Sequence, residues 1–278
     1  MPFIPRAEIV RRLRAQIAAG VPVVGCGAGT GLSAKMAEAG GADMAIVYNS
    51  GRYRMAGRGS LAGMLAYGDA NAIVIEMGAE ILSVVQDMPV LAGVNGTDPF
   101  RIMSVFLREL RQMGFDGVQN YPTVGLIDGD FRRNLEATGM GYDREIEAIR
   151  AAHAIDLFTS PYVFDPDQAV EMARAGADQL VAHLGLTTAG TIGAGVALTL
   201  DQAIERVMAI AEAGRRVRRD IIVLCHGGPF DEPEQVGKAL LRMPGVHGFF
   251  GASSIERLPT ERAIRAQVED FKRLTVAG

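Results

Sequence analysis

The sequence is short of the residues that stabilise small secreted domains. Its 278 residues include no Trp and only two Cys, and aromatic residues make up 6% of the chain. Cys26 and Cys225 have no CxxC spacing, so neither a disulfide framework nor a zinc site is indicated. A reducing compartment, the cytoplasm, fits this cysteine content best.

Long apolar segments and a basic charge balance are missing as well. No run reaches the roughly 18 apolar residues of a membrane-spanning helix, and the N-terminal Met-Pro-Phe-Ile-Pro-Arg lacks the regions of a secretory signal. The formal net charge of −4 argues against a general affinity for nucleic acid, whose backbone requires a basic surface. We therefore expect neither a membrane nor a nucleic acid as partner, and favour a small molecule.

Short apolar runs alternate with helical patterns along the chain. Eight such runs are predicted to be buried strands: 22–26, 44–47, 90–94, 117–120, 157–160, 180–183, 221–225 and 246–250. Helices are predicted at 6–19, 32–39, 70–85, 99–113, 143–154, 166–175, 200–217, 232–241 and 261–274. Strands that are apolar throughout must be covered on both faces, and alternation with helices favours parallel pairing.

The connection from helix to strand repeats three times. A helix ends near a glycine and an Asp follows just before the apolar run, as at Asp43, Asp116 and Asp178. With eight strands, this pattern predicts a single domain over 1–278, an α/β protein with a (β/α)8 TIM barrel and a capping helix at Arg6 to Ala19. The alternative is a doubly wound open sheet, but the glycine loop Gly25 to Gly31 matches a dinucleotide-binding fingerprint only with one position misplaced.

The stretch Tyr48 to Ser60 contains three arginines and three glycines without an acidic residue. Connections of this length are often lids or binding loops. We predict a mobile loop in which Arg52 and Arg54 hold an anion, and Ser50 lies beside them. The alternative is a solvated surface loop with incidental arginines.

Barrel enzymes carry their sites at the carboxyl ends of the strands. The candidate catalytic groups are Cys26, His183 and His226, which end predicted strands, and Glu76, which lies in an apolar helix. The candidate substrate-binding residues are Asn49, Ser50, Arg52, Arg54, Asn95, Asn120, Thr123, Tyr162, Ser253, Ser254 and Glu256. The asparagines could bind a polar ligand or hold loops in place.

The two histidines point to one predicted mouth, which makes an acid/base or metal role as good an interpretation as a structural hydrogen-bonding role. Glu76 has apolar neighbours that would raise its pKa, and a solvated helix face is the alternative. No HxH, HExxH or acidic cluster at strand ends indicates a metal. The uncharged, glycine-rich segment Gly185 to Ala197 is predicted to be a second lid.

Four sequence motifs resemble one family. The runs Gly25 to Lys35, Ile46 to Ser60 and Asn120 to Gly125, together with His183-Leu-Gly-Leu-Thr-Thr, are similar to the phosphoenolpyruvate hydrolase-like TIM-barrel family, which is related to the C-terminal domain of Tm-1-like proteins. The resemblance implies a homo-oligomeric barrel of the phosphoenolpyruvate/pyruvate type acting on a small oxo-acid. Related lyases bind Mg²⁺ through acidic residues, whereas asparagines stand at comparable positions here, so Mg²⁺ stays open as a cofactor and no other is indicated.

Two functional hypotheses follow. The first is a hydrolase or lyase that cleaves a C–C, C–P or ester-like bond in a small anionic oxo-acid, with an enolate-like oxyanion stabilised by the asparagines and the Cys26 amide. In this hypothesis His183 or His226 moves the proton. The second is a non-catalytic module that binds a small anion or a partner at the same mouth.

Overall fold

The computed structural model describes residues 3–186, 190–192 and 198–277. Within these ranges the chain forms nine strands and eleven α-helices. The strands are β1 Val23–Gly27, β2 Met44–Val47, β3 Val90–Val94, β4 Gly117–Asn120, β5 Phe158–Thr159, β6 Tyr162–Val163, β7 Gln179–His183, β8 Ile222–His226 and β9 Gly248–Gly251. Nearly every strand residue is buried, as the apolar runs predicted.

The helices alternate with the strands and cover the outside of the sheet. They are α1 Arg6–Ala18, α2 Gly31–Ala39, α3 Asn49–Met55, α4 Ala70–Leu82, α5 Met103–Met113, α6 Gly129–Ala137, α7 Tyr142–Ala154, α8 Pro166–Arg174, α9 Leu200–Val217, α10 Pro233–Leu240 and α11 Arg257–Lys272. In the described ranges no helix is long and apolar enough to cross a membrane.

All strand pairs are parallel, and the sheet curls. The hydrogen-bonded order is β5-β4-β3-β2-β1-β9-β8-β7-β6, so every pair of neighbouring strands in the sheet is consecutive in the chain apart from β1 with β9. A doubly wound sheet reverses its strand order at a switch point, so that alternative is wrong. The predicted fifth strand, 157–160, contains only β5, and β6 follows it in the chain after Ser160 and Pro161. These two short strands are the two ends of the sheet.

The three repeated helix-to-strand connections have one physical role. Gly41, Gly114 and Gly176 adopt positive φ values, and the aspartate that follows each of them accepts a backbone N–H from the neighbouring strand. The N-terminal segment is attached to the same three carboxylates, through Gln16 to Asp43, the Ile4 amide to Asp116 and Arg6 to Asp178. A carboxylate at this position satisfies strand amides that have no partner in the sheet.

Two predictions about loops need correction or fall outside the described residues. The segment after β2 is not an open loop, because Asn49–Met55 is helical and Ser60–Met64 forms a 3₁₀ turn. Helix α6 was not predicted, since its amphipathic pattern is short and lacks buried residues. The proposed lid Gly185 to Ala197 lies largely outside the described ranges. The single-domain assignment stays a prediction.

Candidate active site

A cavity of about 180 Å³ lies at the carboxyl ends of the strands. Five predicted site residues line it: Ser50, Tyr162, His183, His226 and Ser253. The two histidines are paired in register as the last residues of β7 and β8. Their rings lie 4.5 Å apart between centroids, and the Tyr162 ring contacts both, at 4.8 and 5.2 Å.

The backbone fixes a different tautomer on each histidine. Nδ1 of His183 accepts a hydrogen bond from the Gly185 amide at 3.0 Å, so a neutral ring carries its proton on Nε2. Nδ1 of His226 lies 2.7 Å from the Phe250 carbonyl oxygen, which can only accept, so Nδ1 carries the proton. Nε2 of His183 is then a donor and Nε2 of His226 an acceptor.

Burial keeps both imidazoles neutral at physiological pH. Desolvation lowers the pKa of His226 to about 4. It also lowers the pKa of His183 well below its usual value, and the neighbouring His226 adds to this effect. At neutral pH the pair can therefore accept a proton from a ligand at one ring and donate a hydrogen bond from the other.

Hydroxyl groups surround the histidine pair. Ser50 Oγ donates to Tyr121 Oη at 2.9 Å, and Tyr121 donates in turn to the Ser60 carbonyl at 3.1 Å. Ser253 Oγ lies 3.4 Å from Ser60 Oγ. The cavity therefore offers several hydroxyl groups to a polar ligand, with apolar side chains such as Leu61 between them.

Arg54 and Glu256 do not meet a ligand in the cavity. Their side chains are 0% and 1% exposed, and Arg54 Nε donates to Glu256 Oε2 at 2.7 Å. The other carboxylate oxygen accepts the Gly29 amide at 2.5 Å and the Ser33 hydroxyl. The prediction of an unpartnered Arg54 in a mobile loop is wrong, because a carboxylate from the far end of the chain neutralises it. The same carboxylate takes the place of an external anion at the glycine loop.

Arg52 and Glu76 pair with each other on the outer surface. Arg52 Nη1 lies 2.8 Å from Glu76 Oε2, and the side chains are 40% and 64% exposed. The buried environment predicted for Glu76 is therefore wrong, and the solvated helix face was the correct alternative. Neither residue lines the cavity.

Cys26 is enclosed within the strands. Its thiol donates to the Met44 carbonyl at 3.4 Å, and burial raises the pKa of Cys26 to about 12. The thiol is therefore protonated at neutral pH, and a thiolate nucleophile is not available there. The residue does not line the cavity.

The three asparagines hold loops. Asn49 donates to the Gly63 carbonyl at 2.9 Å. Asn95 accepts from Thr97 at 3.0 Å, and Asn120 bridges the Tyr162 amide to Glu145 at 2.7 and 2.6 Å. These bonds hold loops in place, which was one of the two roles considered for the asparagines, whereas Oδ1 of Asn49 is buried without a partner among the described residues.

Glu145 is the buried centre of the loop after β4. Besides Asn120, it accepts the Thr123 hydroxyl at 2.7 Å and the Val124 amide at 2.6 Å. Burial raises its pKa to about 7. Glu145 thus fixes the segment that carries Tyr121 into the cavity wall.

A second, wider groove of about 530 Å³ lies beside the cavity and includes Asn95 and Thr123. Its charged residues neutralise one another, since Arg101 contacts both Asp69 and Asp98 at 3.2 Å. No histidine lines it. We therefore place the site in the smaller cavity, where the strand ends converge.

The residues present do not fit a resident Mg²⁺ ion, which prefers carboxylate and water oxygens. Across the described ranges, no three His, Cys, Asp or Glu residues come together as a ligand set. The two fully buried carboxylates near the strand ends, Glu145 and Glu256, are already engaged by protein donors. We derive no catalytic step through a metal.

Several cavity residues escaped the sequence analysis. Tyr48 and Tyr121 directly follow strands, and the strand-end rule would have found them had it included aromatic side chains. Arg257 and Ser60 follow loops at a distance from any strand, so their positions depend on the tertiary structure. Ser254 was predicted to bind substrate, but it does not line the cavity.

Comparison with known proteins identifies the family. A model described as phosphoenolpyruvate hydrolase-like matches residues 8–274. The chain belongs to this family. The resemblance seen in the sequence motifs is thereby confirmed.

Relatives and solved structures agree with the family and the fold. The chain is 58% identical over 271 residues to the ToMV resistance protein Tm-1(GCR237) of Solanum lycopersicum, covering 98% of this chain and 36% of that protein. It therefore spans about a third of the relative's length. Crystal structures of 2,3-dimethylmalate lyase, a PEP mutase/isocitrate lyase superfamily member, and of oxaloacetate acetylhydrolase share the fold at TM-scores of 0.61 and 0.60. Identities are 15% and 16%, and coverage is 99% and 100% of this chain and 90% of each structure.

We expect Arg54→Met to lower the free energy of unfolding by about 3–5 kcal/mol, because it leaves the Glu256 carboxylate buried without its cation. Arg52→Gln is the matched control on the same helix, and its exposed ion pair should contribute less than about 1 kcal/mol. Urea denaturation followed by circular dichroism measures both. An equal decrease in the free energy of unfolding for the two variants would contradict this, because it would show that burial does not make the Arg54 pair more important for stability.

Proposed function

We propose that this family member is a lyase or hydrolase that cleaves a bond in a small oxo-acid bound in the histidine-lined cavity. The observation that carries the proposal is the neutral pair His183 and His226, with a donor and an acceptor Nε2 at the carboxyl ends of adjacent strands. The cavity volume corresponds to about six liquid water molecules, the size of a three- or four-carbon acid.

The two rings divide the chemistry between them. Nε2 of His226 accepts a proton from a substrate hydroxyl or from an attacking water. The Nε2–H of His183 donates to the carbonyl oxygen on which negative charge develops, and it costs little reorganisation because the Gly185 amide already holds the ring. The names of the compared structures, a dimethylmalate lyase and an oxaloacetate acetylhydrolase, support bond cleavage in oxo-acids or hydroxy acids.

We also infer that the curled sheet is a (β/α)8 barrel whose fifth strand is divided. Backbone hydrogen bonds join the segment between β5 and β6 to both neighbours, from the Ser160 amide to Val118 and from the Val181 amide to Pro161. Helix α1 then caps the amino ends of the strands, which its attachment to the three repeated aspartates supports.

We propose that the chain forms homo-oligomers through helix α11. From Arg262 to Lys272 every residue of this helix is exposed, and Ile264, Val268 and Phe271 form an apolar stripe with helical spacing. An isolated helix of this length is marginally stable in water, so a second copy of the chain is the natural cover for the stripe. Helix α1 is less suitable for this role, because Ile9 and Leu13 are already buried in the core.

Light scattering at micromolar concentration tests the assembly. We expect the wild type to have a mass above the 29.6 kDa of one chain. Replacing both Ile264 and Phe271 by Glu should lower the measured mass to that of the monomer. A monomeric wild-type protein would contradict the proposal.

A binding module remains the second candidate function. Residues in the described ranges form no acidic metal-ligand cluster. The similar tomato protein is named for virus resistance rather than for a reaction. Such a module would bind an oxo-acid in the same cavity without turnover.

We expect His226→Gln to lower kcat about 10²- to 10⁴-fold without loss of fold, because it removes the proton acceptor. Pyruvate, oxaloacetate, phosphoenolpyruvate and 2,3-dimethylmalate are incubated with the protein with and without Mg²⁺, and ¹H and ³¹P NMR detect products. His153→Gln is the control, since His153 contacts Arg6 outside the cavity.

The outcomes separate the two functions. Turnover that disappears in His226→Gln and persists in His153→Gln supports the enzyme. Thermal stabilisation of the wild type by an oxo-acid without product would instead favour the binding module. Turnover unaffected by His226→Gln would contradict the role of the histidine pair.

A further inference from the structure

The cavity changes in character from its floor to its mouth. His183 and His226, at the strand ends, are only 5% and 7% exposed. Three large aliphatic side chains line the same cavity but are much more accessible, since Leu61, Leu186 and Ile192 are 40%, 37% and 38% exposed. The histidines therefore lie at the bottom of the cavity, and the three aliphatic side chains lie where it opens to solvent.

The apolar mouth is assembled from three separate segments of the chain. Leu61 and Leu126 belong to the 3₁₀ turns that follow α3 and β4, and Leu186 and Ile192 follow β7. A Cβ atom added to Gly59 would lie 3.6 Å from Cγ2 of Ile192, so the segments after β2 and β7 approach each other here. Single exposed apolar residues are common, whereas apolar residues that converge on one opening are typical of a ligand-binding site.

The described lining has little charge to offer to a second acid group. Among these residues Arg257 is the one with a permanent charge, and Glu261 already pairs with it at 2.7 Å. Burial lowers the pKa of both histidines, which are therefore neutral at physiological pH. A second carboxylate on the ligand would lie against the aliphatic mouth, where it loses hydration without gaining a partner.

We propose that the site selects 2-oxo-acids that have one carboxylate and an alkyl substituent, and that Leu61, Leu186 and Ile192 bind this substituent at the mouth. The inference rests on the proposed function for the oxo-acid group itself, which the polar floor receives. It adds the substrate class and the residues that determine specificity. The cavity holds the three or four carbons nearest the carboxylate, so that a longer alkyl chain extends to the mouth.

Ligand-observed NMR titration of a homologous series tests the contact with the alkyl group. Pyruvate, 2-oxobutanoate and 2-oxopentanoate differ by one CH₂ group at each step. Complete burial of a CH₂ group corresponds to about a fourfold gain in affinity, and the mouth is only partly shielded from water. We therefore expect Kd to fall about 2- to 4-fold at each step.

A pair of ligands of equal size separates charge from shape. Oxaloacetate and 4-methyl-2-oxopentanoate have the same number of non-hydrogen atoms, and a carboxylate in the first replaces an isopropyl group in the second. We expect the wild type to bind 4-methyl-2-oxopentanoate about 10-fold more tightly. Leu61→Lys should reduce or reverse this preference, because it brings a cation to the mouth.

Two truncations test where the alkyl group binds. Leu61→Ala and Ile192→Ala should each reduce the gain along the series, while pyruvate, which is too short to reach the mouth, keeps its affinity within about twofold. Leu65→Ala is the matched control, since Leu65 is also exposed, at 57%, but lines the neighbouring groove instead of the cavity. We expect it to behave like the wild type. Circular dichroism checks that all the variants are folded, which their exposed positions favour.

The results distinguish this inference from the proposed function. If the wild type binds pyruvate but the longer acids bind no more tightly, or if oxaloacetate binds as well as 4-methyl-2-oxopentanoate, the selection of alkyl substituents is wrong and the oxo-acid site stands. A gain along the series that Leu61→Ala and Ile192→Ala both leave intact overturns the role of the mouth. A wild-type protein that binds none of these acids overturns the proposed function together with the inference.

Discussion

The buried ion pair of Arg54 and Glu256 is the constraint on which the site depends. One carboxylate joins four segments, because it accepts from Arg54 on α3, from the Gly29 amide after β1 and from the Ser33 hydroxyl on α2, while its own backbone begins α11. A charge taken out of water must be compensated in this way or it destabilises the fold. Since Arg257 is the next residue, the same ion pair fixes where α11 begins beside the cavity.

The site thus contains two kinds of charged group with different roles. Charges that are buried and paired, as in Arg54 with Glu256, determine where loops lie. The ligand space itself is almost neutral, because burial removes the charge of both histidines and Glu261 pairs with Arg257. This arrangement suits a reaction in which negative charge develops on one oxygen of a bound acid. A fixed hydrogen-bond donor stabilises such a charge more strongly in surroundings of low polarity than in water.

The sequence predicted the parallel α/β architecture well, because apolar runs and helical periodicity are local signals. It also located His183 and His226, since both end strands. It misassigned Arg54, Arg52 and Glu76, because their partners lie 24 to 202 residues away in the chain and pairing is a tertiary property. Arg257 could not have been found, as its approach to the cavity depends on how α11 begins.

The tautomers of the two histidines are the most direct test of this account. In two-dimensional ¹H–¹⁵N correlation spectra of imidazole-labelled protein, we expect both rings to be neutral between pH 6 and 8, with the proton on Nε2 of His183 and on Nδ1 of His226. Assignment uses His183→Gln and His226→Gln. A charged ring at pH 7, or the same tautomer on both histidines, would contradict the paired donor and acceptor on which the proposed chemistry rests.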